Sequence, residues 1–199
     1  MTIPSLYITH ATGSLRQRGL EFVQQQYRLS FGTTPTDEPD YLFVACTDVG
    51  ANASEIIGTI GISLWKSNQP MRLARVYDFD EKIDPRLPSP ESTFEYGRLV
   101  ATRGGISKAL IASASQFALS VGRTCGWCEH TDAVHRICMS FGLSFALIPA
   151  TLRPDAIADG DKEFYRRNPS ARLYATNTRE WIKTLADSVT YKHGVWSIH

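Results

Sequence analysis

The pattern of apolar and polar residues along the chain predicts an alternation of helices and strands. Apolar residues at a spacing of three or four indicate helices, and compact apolar runs bounded by turn residues indicate strands. The predicted helices are 15–30, 106–122, 133–141 and 178–188. The predicted strands are 41–48, 55–66, 93–101, 123–131 and 143–150.

Polar residues and glycines mark where the predicted helices begin and end. Ser14 and Asp132 stand just before apolar periodic segments, so each is a candidate N-cap. Gly122 and Gly142 follow two of the helices, at positions where a left-handed residue commonly ends a helix.

The remaining segments are rich in turn-forming residues. Residues 33–40 (TTPTDEPD) predict a polar loop, and residues 50–54 (GANAS) a hairpin turn. Gly58 and Gly61 lie inside a predicted strand, which indicates bulges or close backbone approaches. The proline-rich stretch 67–92 predicts a loop with one short helix at most.

The element order is helix, strand, strand, loop, strand, long helix, strand, short helix, strand. This order predicts an α/β (α+β) fold with a mixed central sheet flanked by helices. A length of 199 residues fits one domain over 1–199, and we predict that residues 176–199 form a C-terminal tail.

Composition narrows the class of protein. Apolar residues make up 43% of the chain and charged residues 21%, which suits a folded core rather than disorder. A formal net charge of +1 gives no bulk attraction to nucleic acid or acidic membranes. The sequence shows no apolar run long enough to span a membrane and no secretory signal, so we expect a cytoplasmic protein with reduced cysteines.

Several short motifs resemble those of one enzyme superfamily. The order of elements over 93–150 is similar to the core of GNAT acyltransferases. Within it, FEYGRLVATRGG resembles the Glu-x-x-Arg strand of acyl-homoserine-lactone synthases, with Glu95 and Arg98 on the pattern. VQQQYRLSFG resembles the Arg-x-x-Phe motif near the start of that family, matched by Arg28 and Phe31.

Two related families resemble the chain more closely. One is the long-chain N-acyl amino acid synthases, of the N-acyl tyrosine synthase type, and the other is the thermostable hemolysin family, whose motifs resemble residues 27–32, 95–99 and 164–169. The lactone synthases carry a Trp shortly after Arg-x-x-Phe, whereas here the stretch reads GTTPTDEPD, and their later Arg is replaced by GTIGIS. These departures favour a free amino acid over S-adenosylmethionine as the amine donor.

The resemblance implies an N-acyltransferase that moves a long-chain acyl group from acyl carrier protein to an amino acid, such as tyrosine. Its partners would be the carrier protein and the amino acid. Its co-substrate would be an acyl-phosphopantetheine thioester, with no tightly bound cofactor and no metal. An acyl-homoserine-lactone synthase and a coenzyme A-dependent N-acetyltransferase are the enzymatic alternatives. A hemolysin-like membrane-active protein is the non-enzymatic one.

Glu95 and Arg98 are the candidate catalytic residues. A carboxylate in an apolar strand is costly without a partner or a role, so Glu95 is a candidate for the base that deprotonates the amine. Arg98 could pair with it, provided that a bulge brings the two side chains to one face of the strand. The alternative is an ion pair that only stabilises the strand.

Candidate substrate-binding residues come from the resemblance and from the aromatic content of the strands. The guanidinium of Arg28 could hold a substrate carboxylate, and its alternative is an ordinary solvated arginine. Aromatic residues could line a slot for a fatty chain, although a plain core would have the same composition. Those in the apolar strands are Phe94, Tyr96, Trp127, Phe141 and Phe145, and the resemblance adds Phe31 beside Arg28 as a substrate-binding candidate.

The turn TRGGISK at 102–108 is the candidate site for the acyl carrier. In GNAT enzymes the matching turn binds the pyrophosphate of coenzyme A through backbone N–H groups. Here Arg103, Gly104 and Gly105 fit that pattern, but Ile106 and Lys108 stand where small residues are expected. This departure favours a carrier protein, whose acidic surface Arg103 and Lys108 would meet.

CGWC at 125–128 resembles a redox motif, but it lies in a predicted strand rather than at a helix N-terminus. In a strand Cys125 and Cys128 point to opposite faces, so we interpret them as buried structural cysteines. His130 and His135 are interpreted in the same way, as structural residues.

Overall fold

Helices and strands alternate along the part of the chain that the computed structural model describes, residues 6–47, 55–66, 68–79 and 89–199. The strands are β1 (Leu6–His10), β2 (Tyr41–Thr47), β3 (Glu55–Leu64), β4 (Tyr77–Phe79), β5 (Thr93–Ala101), β6 (Cys125–His130), β7 (Ala146–Leu147), β8 (Ala150–Leu152), β9 (Arg172–Asn177), β10 (Val189–Lys192) and β11 (Val195–Ile198). The helices are α1 (Gly13–Phe31), α2 (Arg72–Val76), α3 (Ile106–Ser120), α4 (Asp132–Ser140), α5 (Asp159–Arg167) and α6 (Thr178–Thr184).

One large sheet organises the fold. Among the described residues it has nine strands, in the order β10-β11-β1-β2-β3-β5-β6-β9-β7, while β4 and β8 form a separate ribbon. Neighbouring strands of the large sheet run antiparallel, with the exception of β5 and β6, which are parallel. The predicted α/β fold with a mixed central sheet is therefore confirmed.

Successive side chains of the central strands point to opposite faces of the sheet, and both faces are apolar. On β2, Phe43 and Ala45 belong to the main core, which includes the buried residues of α3. Leu42 and Val44 point the other way, towards α1. A Cβ on Gly19 of α1 would lie 2.8 Å from Leu42 Cδ2, so the absence of a side chain there lets the helix approach the sheet closely.

Most predicted elements occur with small shifts of their ends. Gly122 and Gly142 have φ values of +81° and +77°, as expected for residues that end helices. Both predicted N-caps are wrong. Helix α1 begins one residue before Ser14, after Thr12, and the cap of α4 is Thr131, whose hydroxyl accepts from the N–H of Val134.

Gly58 and Gly61 do mark irregular pairing. The register of β3 shifts against β2 near Gly58 and against β5 between Thr59 and Gly61. A Cβ on Gly61 would lie 2.7 Å from the Cβ of Pro39, so this glycine lets the 33–40 loop lie directly against β3. The predicted turn at 50–54 falls outside the described residues.

The predicted strand at 143–150 is wrong in its extent. Only Ala146–Leu147 pairs with β9, and Ala150–Leu152 pairs with β4 instead. Between them, the N–H of Ile148 donates to the carbonyl of Leu173. At Ser144, before these short strands, the backbone carbonyl accepts from the indole N–H of Trp181 and not from a neighbouring strand.

Residues 176–199 are packed into the fold. Helix α6 is shorter than predicted and is followed by a 3₁₀ turn at Ala186–Ser188. Strands β10 and β11, which the sequence analysis does not predict, extend the sheet, and β11 pairs with β1. The single-domain organisation stays a prediction.

Candidate active site

A gap opens between the two parallel strands at the centre of the sheet. The ladder of β5 and β6 runs from the pair Thr93–Cys125 to the pair Tyr96–Cys128 and continues no further, although both strands do. Arg98 has a φ of +55°, and the register of β5 against β3 shifts in this region. The bulge turns β5 away from β6, so their facing edges are no longer bonded to each other.

A cavity of about 110 Å³ lies at this gap. One part of its wall is apolar and belongs to the core on the α3 face of the sheet. These residues include Ile60, Tyr96, Ile111, Cys128, Cys138 and Trp181. The rest of the wall carries charged and aromatic side chains, among them Tyr27, Phe31, Arg72, Arg98, Glu129 and Phe164. The cavity therefore joins an apolar end to a charged end.

The apolar end is closed by two stacked rings. The Tyr96 and Trp181 rings lie 5.3 Å apart at an angle of 22°, and the Tyr96 hydroxyl lies 2.7 Å from Ser115 Oγ. Tyr96 lies so close to Gly126 that a Cβ there would be 2.2 Å from the tyrosine ring. A glycine at this position of β6 is therefore what makes room for the Tyr96 ring.

The charged end is built around Arg72, the first residue of α2. Its Nε donates to Glu95 Oε1 at 3.1 Å, and its Nη1 donates to the Tyr165 hydroxyl at 2.8 Å. Its Nη2 lies 3.4 Å from Glu129 Oε2. Burial disfavours the charged guanidinium, but the attraction of Glu95 and Glu129 outweighs it and raises the pKa of Arg72. Arg72 therefore stays charged between two carboxylates.

Two phenols complete this cluster. Tyr77 donates to Glu129 Oε1, and Tyr165 donates to Glu129 Oε2 at 3.2 Å. Burial is the main cause of a raised pKa at both tyrosines, and the Glu129 carboxylate adds to it. Both phenols are therefore protonated at neutral pH and act as hydrogen-bond donors.

The predicted pairing of Glu95 with Arg98 is wrong. Glu95 is 4% exposed, and its second oxygen accepts from the N–H of Leu73 at 3.0 Å, so both oxygens are engaged by the start of α2. Arg98 instead donates from Nε and Nη2 to the carbonyl of Asp37 and lies 5.7 Å from the centre of the Tyr27 ring. Residue 98 thus connects the bulge of β5 to the 33–40 loop.

The other predicted substrate-binding residues divide between the cavity and other parts of the fold. Phe31 and Tyr96 line the cavity, and the Phe31 ring packs edge-on against Phe164 at 5.1 Å. Trp127 lies in a separate core cluster beside Trp65. Phe141 packs against the main core.

The other predicted cationic residues, Arg28, Arg103 and Lys108, are not part of the cavity wall. Arg28 is exposed on α1, where it donates to Thr34 Oγ1 at 2.9 Å. In the turn before α3, Arg103 is paired with Glu55 at 2.9 Å and Gly105 has a φ of +80°. Lys108 follows in the first turn of α3.

The cysteines are free and buried, as predicted. Cys125 and Cys128 belong to different core clusters on opposite faces of β6. Burial raises the pKa of both thiols, which disfavours the reactive thiolate.

His130 and His135 lie in an aromatic cluster with Phe145 and Tyr174. Within the described residues, neither histidine has a hydrogen-bond partner at Nδ1. Burial lowers the pKa of His130 to about 4, and the neighbouring His135 contributes to this shift.

The buried His130 should make the protein sensitive to acid. Its pKa is lower in the folded state than in the unfolded chain, where about 6.5 is expected. The unfolded chain therefore binds a proton first, and stability present above pH 6.5 is lost as the pH falls towards 4, by up to about 3 kcal/mol. In urea titrations, His130→Phe should lose less stability than wild type between these pH values. His193→Asn, at an exposed turn, is the control. Equal pH slopes for His130→Phe and wild type would contradict the prediction.

Arg72, Glu129, Tyr77 and Tyr165 are site residues that sequence reasoning missed. Arg72 lies in the segment interpreted as a proline-rich loop, and Glu129 directly follows the cysteine motif. The resemblance of residues 164–169 to the thermostable hemolysin motif did include Tyr165, but without a role. Their assembly depends on contacts between distant segments, which no local pattern shows.

The sequence and the fold can now be compared with those of known proteins. No protein-family model matches the sequence, and no curated protein matches it. Solved structures do. FeeM, an N-acyl amino acid synthase from uncultured soil microbes, matches with a TM-score of 0.59 and 12% identity, over 90% of this chain and 94% of that chain.

Two further structures match at similar levels. The AHL synthase LasI has a TM-score of 0.55 and 12% identity, over 89% of this chain and 91% of that one. The apo form of TofI has a TM-score of 0.57 and 16% identity, over 91% and 95%. At these identities the likeness is one of fold, and the predicted fold, resembling that of the lactone synthases and the N-acyl amino acid synthases, is confirmed. No helix among the described residues is both long and apolar enough to cross a membrane.

Proposed function

We propose that this chain is an N-acyltransferase that moves a fatty acyl group from a phosphopantetheine thioester to the amino group of an amino acid. The observation that carries the proposal is the cavity at the gap between β5 and β6, apolar at one end and charged at the other. Such a cavity offers an apolar surface to an acyl chain and a charged surface to an amine on either side of the gap, the arrangement that direct transfer requires. The shared fold with an N-acyl amino acid synthase supports it.

The acyl chain would occupy the apolar end. Ile111, Cys138 and Trp181 there offer no charge and exclude water from the chain. The thioester carbonyl would then lie at the gap, where the backbone edges of β5 and β6 face each other without mutual hydrogen bonds. Backbone N–H groups at such an edge can stabilise the negative charge that develops on the carbonyl oxygen.

The amino acid would occupy the charged end. Arg98, which was predicted to pair with Glu95, lines the cavity. We therefore propose that Arg98 binds the carboxylate of the substrate. Glu95 supports this end by holding Arg72 and the start of α2 in place. The aromatic rings of Tyr27, Phe31 and Phe164 would cover the substrate side chain. Arg28 stays a prediction as a second carboxylate ligand.

The donor would be acyl carrier protein, docked at the turn before α3. This helix begins at Ile106 after Gly105, which provides no side-chain cap, so its first N–H groups remain available to a phosphate. Gly104 has open space around it, and Arg103 is about half exposed in an ion pair with Glu55. Together with Lys108, the turn offers two cations to one phosphodiester and an acidic partner.

Comparing acyl carrier protein with acyl-coenzyme A as donors tests this assignment. We expect a higher kcat/KM with the carrier protein. Charge reversal of Arg103 and Lys108 should lower kcat/KM for the carrier, more strongly at low salt, because screened surface charges act mainly on encounter. A clearly higher kcat/KM with acyl-coenzyme A would contradict the choice of donor while leaving acyl transfer intact.

The reaction itself is tested by mass spectrometry of lipid extracts from bacteria that express the chain, with the empty vector as control. The expected products are N-acyl amino acids, whose masses give both the acceptor and the acyl length. An acyl-homoserine lactone as the new product would overturn the amino-acid assignment. The absence of any new acylated amine would overturn the proposed function.

A further inference from the structure

At the charged end of the cavity, Arg72 lies between two carboxylates, while Arg98 lines another part of the wall and donates to the carbonyl of Asp37. Arg72 is within 3.1 Å of Glu95 and 3.4 Å of Glu129, and the two carboxylate side chains are each 5% exposed. With both acids ionised, the three groups carry one net negative charge. Both carboxylates accept hydrogen bonds, but the net negative charge of the three groups favours a cation that enters the cavity beside Glu129.

The two carboxylates are not equivalent. Glu95 accepts from the Nε of Arg72 and from the N–H of Leu73, and it does not reach the cavity wall. Glu129 is part of that wall, and its contact with Arg72, at 3.4 Å, is the longer one. Of the two, Glu129 is therefore the carboxylate that a bound substrate can touch.

The groups around Glu129 hold its carboxylate in place. Tyr77 and Tyr165 donate to its two oxygens from β4 and α5. The neighbouring acid on α5 is Asp161, which is buried and accepts from Thr36 Oγ1 at 3.4 Å. His130 follows on β6 and also lines the cavity.

We propose that Glu129 binds the ammonium group of the acceptor and takes its proton before the amine attacks the thioester. This inference rests on the proposed function and adds to it the residue that acts as the base. Glu95 is then a positioning residue, which acts through Arg72. The sequence-based prediction of Glu95 as the base gives way to the carboxylate on the cavity wall.

The ammonium gives one proton to the Glu129 carboxylate, and the nitrogen lone pair attacks the carbonyl carbon. As the tetrahedral intermediate collapses, the C–S bond breaks and its electron pair leaves with sulfur. The second nitrogen proton goes to the thiolate, so that an amide and a thiol are formed. The proton on Glu129 returns to solvent and restores the carboxylate.

Glu129→Gln tests the inference, with Glu95→Gln as the matched variant and Glu21→Gln on exposed α1 as the control of unchanged activity. Loss of a base should lower kcat/KM by roughly 10²–10⁴ near neutral pH. The deficit should shrink at high pH, where more of the free amine is already deprotonated. Glu95→Gln should lower kcat/KM by a factor that changes little with pH.

Melting curves verify that each variant is folded. If Glu129→Gln does not fold, Glu129→Asp takes its place, since it keeps the charge but withdraws the carboxylate by one methylene. It should lose at least about ten-fold in kcat. Wild-type turnover in either folded variant, or a Glu129→Gln deficit of constant size across pH, would overturn the inference. A wild-type protein without any acyl transfer would instead overturn the proposed function.

Discussion

Replacing Arg72 with leucine should destabilise the protein by about 3–5 kcal/mol, the usual effect of breaking a buried ion pair from one side. The Arg72 side chain is 14% exposed and donates hydrogen bonds to Glu95, Glu129 and Tyr165. Without the guanidinium, two buried carboxylates would face each other uncompensated. Urea denaturation followed by circular dichroism measures the loss, and acyl transfer should fall with it.

Arg75→Leu is the matched control, since Arg75 lies on the same short helix. Its side chain is 49% exposed and pairs with Asp37 near the surface. Such a pair contributes about 0–1 kcal/mol, so the variant should resemble wild type. Equal losses from Arg72→Leu and Arg75→Leu would show that the helix itself, rather than the buried charge cluster, accounts for the effect.

Trp181→Ala should both destabilise the protein and lengthen the acyl chain that it accepts. Trp181 is 2% exposed, stacks on Tyr96 and forms part of the apolar end of the cavity. Truncating a buried tryptophan to alanine costs about 3–5 kcal/mol, because the surroundings close the new space only in part. Competition between donors of graded length, with products quantified by mass spectrometry, should show a higher share of the longer chains.

Trp127→Ala separates the two effects. Trp127 is equally buried, at 3% exposure, but it packs against Trp65 and Phe79 in a separate core cluster. We expect a comparable loss of stability without a change in acyl preference. If Trp127→Ala changes the preference and Trp181→Ala does not, the acyl chain lies where the sequence analysis first placed it, beside Trp127.

The elements with strong local signals were predictable from the sequence. Helix α3 has a long apolar pattern and a glycine at its end, and β5 is a compact run. Strands β1, β10 and β11 are short, and partners far along the chain stabilise them. Local patterns do not show such pairings, so these strands were missed.

In the site, too, the residues on a strand with a clear local motif were predictable, and those brought together by distant segments were not. Tyr96 and Arg98 lie on the strand that carries the strongest motif, and both reach the cavity. The partner of Glu95 could not be predicted, because Arg72 comes from a segment whose prolines obscure the short α2. Glu129 lies between Cys128 and His130, which are more conspicuous in the sequence and which line the same cavity, so no local signal singled out the carboxylate.

The pairing of β1 with β11 joins residues 6–10 to residues 195–198. During synthesis, β1 therefore emerges long before β11. One edge of β1 stays unpaired until β11 has been made. Contacts of such long sequence separation form late and slow folding. An edge strand left unpaired can also pair with another chain. We therefore expect this side of the sheet, which is remote from the cavity, to be the part of the fold that pairs most readily with another chain before folding is complete.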